Sequence, residues 1–173
     1  MAVETLLTSP RAPYYQTDLG AAWLGDSREL LTNVSDAAVN LIITSPPFAL
    51  TRKKEYGNES AEDYVEWFMD FAREFKRILA HDGSLVIDLG GAYLPGRPVR
   101  ALYQFELLIR MCKELGFNLA QEFFHYNPSR LPSPAEWVTV RRVRVKDAVN
   151  VVWWLSISEN PKANNRAVLK PYS

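Results

Sequence analysis

The chain has 173 residues, 47% of them hydrophobic and 23% charged, and its 20 basic and 20 acidic side chains cancel, so one ordinary globular domain with a sizeable core is expected and no overall pull toward nucleic acid. Cys112 stands alone, which excludes an internal disulfide and a cysteine-based metal cluster; no metal site is expected. No run of eighteen apolar residues exists, and "MAVETLLTSPRAP" lacks the basic start and apolar core of a signal peptide, so a cytoplasmic protein without membrane contact is expected.

In chain order, short β-type runs alternate with helical periodicity, the pattern of an α/β fold with a parallel sheet. "AAWLGD" (21–26) reads as a short strand ending in a turn, with Asp26 and Glu29 as a capping pair for a helix over 27–33. "VNLIITS" (39–45) is the next strand, followed by "PPF" and the basic loop "TRKKEYGN" (51–58). Ser60 and Asp63 sign the start of a helix whose Val65, Phe68, Phe71, Phe75 and Leu79 recur at helical spacing, with Asp82–Gly83 as its stop. "SLVIDLGG" (84–91) is a third strand, and a second long helix carries Ala101, Phe105, Leu108, Cys112 and Leu115 on one face and ends at Gly116. "NLAQEFFHYNP" (118–128) and "AVNVVWWLS" (148–156) are two more strands, joined by a Pro-rich, basic connection with no helix. Without a helical crossover that last pair is expected to be antiparallel beside a parallel group, about five strands in all.

Ligands of open α/β sheets bind outside the carboxyl ends of the strands, where Ser45-Pro46-Pro47-Phe48 stands. Two consecutive prolines offer no N–H and fix the backbone, so this loop presents only carbonyl acceptors in a rigid geometry. With the Ser45 hydroxyl they make a pair of acceptors suited to an exocyclic amino group with two N–H bonds, and Phe48 can lie on a flat ring. Such an amine is a poor nucleophile because its lone pair is delocalised; acceptors that draw on both N–H bonds turn the lone pair outward, and a methyl donor held in line can then be attacked directly. Asp88, near the end of the next strand, is the carboxylate expected beside Ser45 to stabilise the cationic amine or take its proton, with Ser45 to Phe48 and Asp88 lining one pocket. The alternatives are ordinary: a proline loop, a turn or cap aspartate, and a solvated face for each basic group. The similar Thr-Ser-Pro at 8–10 follows no strand and reads as a turn.

"LGDSRELL", "TSPPF", "IDLGGAY", "NPSRLPSPAEWV" and "RVKDAVNVVWW", in that order, resemble the amino-methylating DNA methyltransferases with circularly permuted motif order, specifically those that modify cytosine N4; the likeness runs from about residue 14 to residue 173. The resemblance implies a Rossmann-like, S-adenosylmethionine-dependent methyltransferase sheet and a restriction–modification enzyme acting on double-stranded DNA in a bacterial or archaeal cell. It implies that Ser45 and the Pro46 carbonyl take the amino group, that Pro47 and Phe48 complete the loop, and that Asp88 is the nearby carboxylate. It also implies that Asp26, with Ser45, touches the cofactor, and that Arg52, Lys53, Lys54, Arg141, Arg142 and Arg144 contact DNA. Adenine-modifying members often begin the motif with Asp or Asn, so Ser45 points to cytosine N4, with adenine N6 as the alternative.

One part of the family pattern is missing. The Gly-rich cofactor turn has a single candidate, "VIDLGGAYLPG" (86–96), which lacks Gly-x-Gly spacing, and the acid about twenty positions on, Glu106, falls within a helix. Residues 1–173 are therefore expected to be one domain, the N-terminal catalytic-motif half, whose incomplete sheet lacks the C-terminal cofactor-binding strands. The turn would come from a second polypeptide or a C-terminal segment; a truncated gene and an inactive remnant that only binds DNA are the competing expectations.

Overall fold

Two amphipathic helices set the layering of the chain by laying their apolar faces on the same side of a mixed sheet. The computed structural model describes residues 12–49 and 59–171. Helix α2, Tyr64–Ile78, buries Tyr64, Val65, Phe68, Met69, Ala72, Phe75 and Ile78, the three-and-four spacing of one helical face. Ser60 starts it as expected: its hydroxyl accepts from the Asp63 N–H at 3.1 Å and donates to the Asp63 carboxylate at 2.8 Å. Helix α3, Tyr103–Leu115, ends at Gly116, whose φ of 72° is left-handed backbone that favours glycine. Its buried face is Tyr103, Gln104, Leu107 and Met111 rather than the predicted stripe; Leu108, Cys112 and Leu115 flank it, and Phe105 is 46% exposed. The stripe is turned by about one position because a polar residue, Gln104, occupies the buried side.

The main sheet has four strands among the described residues, β3 (Val39–Thr44), β4 (Leu79–Leu89), β5 (Asn118–Tyr126) and β6 (Val149–Ser156), in the spatial order β3-β4-β6-β5. β3 and β4, joined through α2, are parallel, whereas β6 runs antiparallel to both β4 and β5, as the absent helical crossover predicts. Leu85, Ile87 and Leu89 of β4 and Trp153 and Leu155 of β6 share the buried core with the two helices. Their alternating neighbours point the other way, onto a face with no helical layer among the described residues. Leu41 and Ile43 of β3 are 52% and 71% exposed, and β3 is one edge of the sheet among the described residues, β5 the other.

Three expectations need correction. The strand expected at 21–26 does not join this sheet: β2, Gly20–Ala22, pairs with β1, Tyr15–Thr17, in a hairpin of its own, because the Thr17–Gly20 turn returns the chain at once and sets Tyr15 opposite Ala22. β4 begins at Leu79, not residue 84, since α2 ends at Ile78 and Leu79 is already extended; Asp82–Gly83 therefore lies inside the strand and is not the helix stop. The connection between β5 and β6 contains one turn of helix, Glu136–Val140, closed by a bond from the Arg141 N–H to the Glu136 carbonyl and anchored by the buried Trp137. The pair Asp26–Glu29 is half fulfilled: α1, Ser27–Thr32, is capped by the Asp26 carboxylate, which accepts from the Arg28 N–H at 2.9 Å.

Candidate active site

The parallel pairing of β3 and β4 fixes the centre of the site. Thr44 is the register partner of Ile87, so Ser45 and Asp88 are the next residues on adjacent strands, whose backbones run about 4.8 Å apart. Ser45 is exposed, Pro46 and Ala49 are buried, and Phe48 is half-buried against the core. The Phe48 ring lies on Gly90: a Cβ there would come within 2.7 Å of Phe48 Cδ2. A Cβ on Gly91 would stand 2.8 Å from Arg100 Cζ. The two glycines of "DLGG" thus form a groove for Phe48 and Arg100, a packing reason for glycine that has no cofactor in it.

Tyr103 joins the two loops of the site. Its hydroxyl donates to the Gly90 carbonyl and accepts from the Ala49 N–H, and burial pushes the phenol up to about 12. Asp88 is held differently. Its Oδ1 accepts from Asn150 Nδ2 at 3.1 Å, its Oδ2 lies 3.5 Å from His125 Nδ1, and Asn150 Oδ1 accepts from Arg130 Nη1 at 3.1 Å. His125, Asn150, Tyr103 and Arg130 were not singled out in the sequence. The one signal for Asn150 is a polar residue inside the apolar run "VNVVWWL".

A cavity of about 660 Å³ opens beside β3, with Asp26, Ser45 and Pro46 on its rim and Ile42, Phe68 and Phe71 among its walls. It brings Asp26 and the Ser45 loop together. Phe48 and Asp88 are not among the walls of this cavity. Ile87, the neighbour of Asp88, is buried toward the helices, and strand alternation turns Asp88 to the other face. The Asp26 carboxyl is held below the usual carboxylate range by the Arg28 guanidinium, 2.7 Å away, and by the Arg28 N–H.

A smaller cavity of about 210 Å³ lies between the loop after β4 and the β5–β6 connection. There Arg100 pairs with Asp147 at 2.5 Å and lies 4.9 Å from the Tyr93 ring centroid, and Tyr93 meets Trp137 edge-on at 4.9 Å. Of the DNA-binding expectations, Arg52, Lys53 and Lys54 lie outside the described residues. Arg141 and Arg142 are exposed. Arg144 turns its guanidinium back onto the Pro98 carbonyl at 2.5 Å and its neighbour's carbonyl at 2.7 Å. Among the described residues there is no group of His, Cys, Asp or Glu able to hold a metal ion, and no helix long and apolar enough to cross a membrane.

Residues 39–173, which include both strands of this site, match the family model N6_N4_Mtase, described as DNA methylase. The chain belongs to the DNA methylase family. Among its relatives, the type II methyltransferase M.PvuII of Proteus hauseri is 51% identical over 173 residues, covering 100% of this chain and 52% of its own length. The type II methyltransferase M.SfiI of Streptomyces fimbriatus is 35% identical over 153 residues, covering 77% of this chain and 34% of its own length. The solved structure of PvuII DNA methyltransferase (cytosine-N4-specific) superposes with a TM-score of 0.84 at 52% identity, covering 92% of this chain and 57% of that one. This DNA methylase chain thus has a mixed α/β fold that matches a methyltransferase, and it spans about half the length, or less, of the curated relatives it matches.

Proposed function

We propose that this chain is the catalytic-motif half of a cytosine-N4 DNA methyltransferase of a restriction–modification system. The complete enzyme transfers a methyl group from S-adenosylmethionine to the exocyclic amine of a cytosine flipped out of duplex DNA. The observation that carries this reading is the position of Ser45-Pro46 beside Asp88, at the carboxyl ends of adjacent parallel strands, in a chain so similar to a methyltransferase described as cytosine-N4-specific. The Ser45 hydroxyl and Pro46 carbonyl accept the two N–H bonds of the target amine and turn its lone pair outward. Phe48, seated on Gly90, supports the base, and Asp88 takes the proton that the methylated amine must lose.

The residues present fit part of the cofactor. Aromatic walls from α2, the ionised Asp26 and the Ser45 hydroxyl around a cavity of about 660 Å³ suit an adenosine moiety. When bound, S-adenosylmethionine supplies an electrophilic methyl group on a sulfonium. No Gly-rich turn for its methionine part is found among the described residues. The edge of β3, unpaired among the described residues, and its exposed Leu41 and Ile43 favour a Rossmann-like sheet completed by a further segment that carries that turn, on this polypeptide or another. Arg52, Lys53, Lys54, Arg141 and Arg142 then contact the DNA backbone, and Arg144, bonded to the Pro98 carbonyl, braces the segment that carries Arg141 and Arg142.

The test is to incubate residues 1–173 with duplex DNA and cofactor, alone and with a segment bearing the Gly-rich turn, and to assay N4-methylcytosine by mass spectrometry. Product only in the combined reaction is expected. N6-methyladenine instead would reassign the target, and product from the chain alone would remove the need for a second part.

A further inference from the structure

The open face of the sheet carries a line of polar side chains of which the proposed methyl transfer uses only Asp88. The two Asp88 oxygens are differentiated: Oδ1 accepts from Asn150, and Oδ2 faces His125 Nδ1 at 3.5 Å. Asn150 has no freedom to reverse its amide, because its oxygen accepts from Arg130 at 3.1 Å and a guanidinium can only donate. Arg130 therefore makes Asn150 an obligate donor, and Asn150 aims the second carboxylate oxygen at the imidazole.

The arrangement depends on an irregularity in β5. Leu119 pairs with Leu155, but Gln121 pairs with Trp154, so one extra residue is inserted between them. Such an insertion exchanges the faces of every later side chain. It brings His125, the register partner of Asn150, onto the face that Asp88 occupies. His125 is 56% exposed and Asp88 is 28% exposed, so the line runs from a partly sheltered carboxylate to a solvent-facing ring.

We propose that His125 removes the proton collected by Asp88 and delivers it to solvent, while Asn150 and Arg130 position Asp88 for both transfers; this rests on the methyl-transfer reading above. Once the amine is methylated, one of its N–H bonds breaks, the electron pair stays on nitrogen, and an O–H bond forms at Asp88 Oδ2. That O–H bond breaks as an N–H bond forms at His125 Nδ1, and the imidazolium gives its Nε2 proton to water. One proton leaves and both side chains return to their starting charge; the ring, left as its Nδ1–H tautomer, returns to the Nε2–H form by proton exchange with water before the next turnover. Imidazole is the side chain suited to such a hand-over near neutral pH.

The experiment uses the complete methylating protein. His125→Ala should slow steady-state turnover by about 100-fold or more, in the range of a lost proton-transfer group, with affinity for DNA unchanged. Imidazole added to the buffer should restore the rate of this variant and leave the wild type unaffected. As a readout independent of turnover, the ring-nitrogen NMR signals of His125 should change in Asp88→Asn with neither cofactor nor DNA present. Wild-type turnover in His125→Ala, a loss that imidazole does not relieve, or His125 signals indifferent to Asp88→Asn would each overturn the relay alone. A wild type that forms no N4-methylcytosine would overturn the methyl-transfer reading, and the relay with it.

Discussion

Tyr103→Phe isolates the bond that ties the Ser45 loop to the Asp88 loop. The substitution keeps the ring and its edge-on contact with Tyr64, centroids 4.7 Å apart, so packing is conserved. It removes the hydroxyl that bridges the Gly90 carbonyl and the Ala49 N–H, both of them buried. Each main-chain group left without a partner costs about 1–3 kcal/mol, so the lower bound for the pair is about 2 kcal/mol, or about 4–8 °C in Tm for a domain of this size. The alkaline limb adds a second signature. Burial raises the Tyr103 pKa to about 12 in the folded protein, against about 10 for an unperturbed tyrosine. A raised folded value means that this contribution is whole below pH ~10 and is lost as pH rises toward 12, at about 1.4 kcal/mol per pH unit. The variant lacks that loss, so the gap between wild type and variant should narrow from pH ~8 to pH ~11; Tyr64, raised mainly by burial and in part by Tyr103, keeps its burial-driven slope in both proteins. Urea unfolding followed by tryptophan fluorescence at the two pH values measures this. A variant within about 0.5 kcal/mol of wild type at the lower pH, or a gap independent of pH, would refute the bridge.

Three other substitutions probe the site. Gly90→Ala sets a methyl group against the Phe48 ring and should cost about 1–3 kcal/mol as overpacking, with a larger fall in turnover than Gly20→Ala, where a Cβ meets nothing within 4 Å; equal effects would remove the groove argument. Ser45→Ala should lower kcat with little change in DNA affinity, because the acceptor matters mainly in the transition state; equal losses in rate and affinity would show uniform binding instead. Lys53→Ala and Lys54→Ala should weaken binding to all DNA sequences and flatten the salt dependence by about one unit of slope each; unchanged slopes would reassign the loop to base reading or plain surface.

The centre of the site was legible in the sequence because local features set it. An apolar run, a proline pair, a helix of clean periodicity and a second apolar run amount to a strand–helix–strand unit, and that unit puts Ser45 and Asp88 on neighbouring strands. What was not legible depends on pairing over long separations. Nothing in "NLAQEFFHYNP" marks the inserted residue between Leu119 and Gln121, yet it decides that His125 faces Asp88. Likewise, "AAWLGD" has the letters of a sheet strand, but the Thr17–Gly20 turn gives it a nearer partner. The α3 face was misread by one position because a helical wheel favours Phe105 over Gln104, whereas the groove at Gly91 takes the amide: a Cβ there would stand 3.0 Å from Gln104 Oε1.

The position of the site within the sheet bears on what completes it. Natural edge strands are shielded by charges, prolines or bulges, but β3 reads Val-Asn-Leu-Ile-Ile-Thr and carries no charge. Ile42, Ile43 and Thr44 of this edge also line the cavity shared by Asp26 and Ser45. On the proposed reading, a strand paired to β3 therefore does two things at once: it hydrogen-bonds to the exposed edge, and it closes the side of the cavity where the methionine part of the cofactor needs a Gly-rich turn. Ser45 then stands between a donor held by that segment and an acceptor base held by this chain, with Asp88 one strand further on. Ser45, the Pro46 carbonyl and Asp88 would hold the amine and take its proton, and the added segment would hold the methyl donor against it.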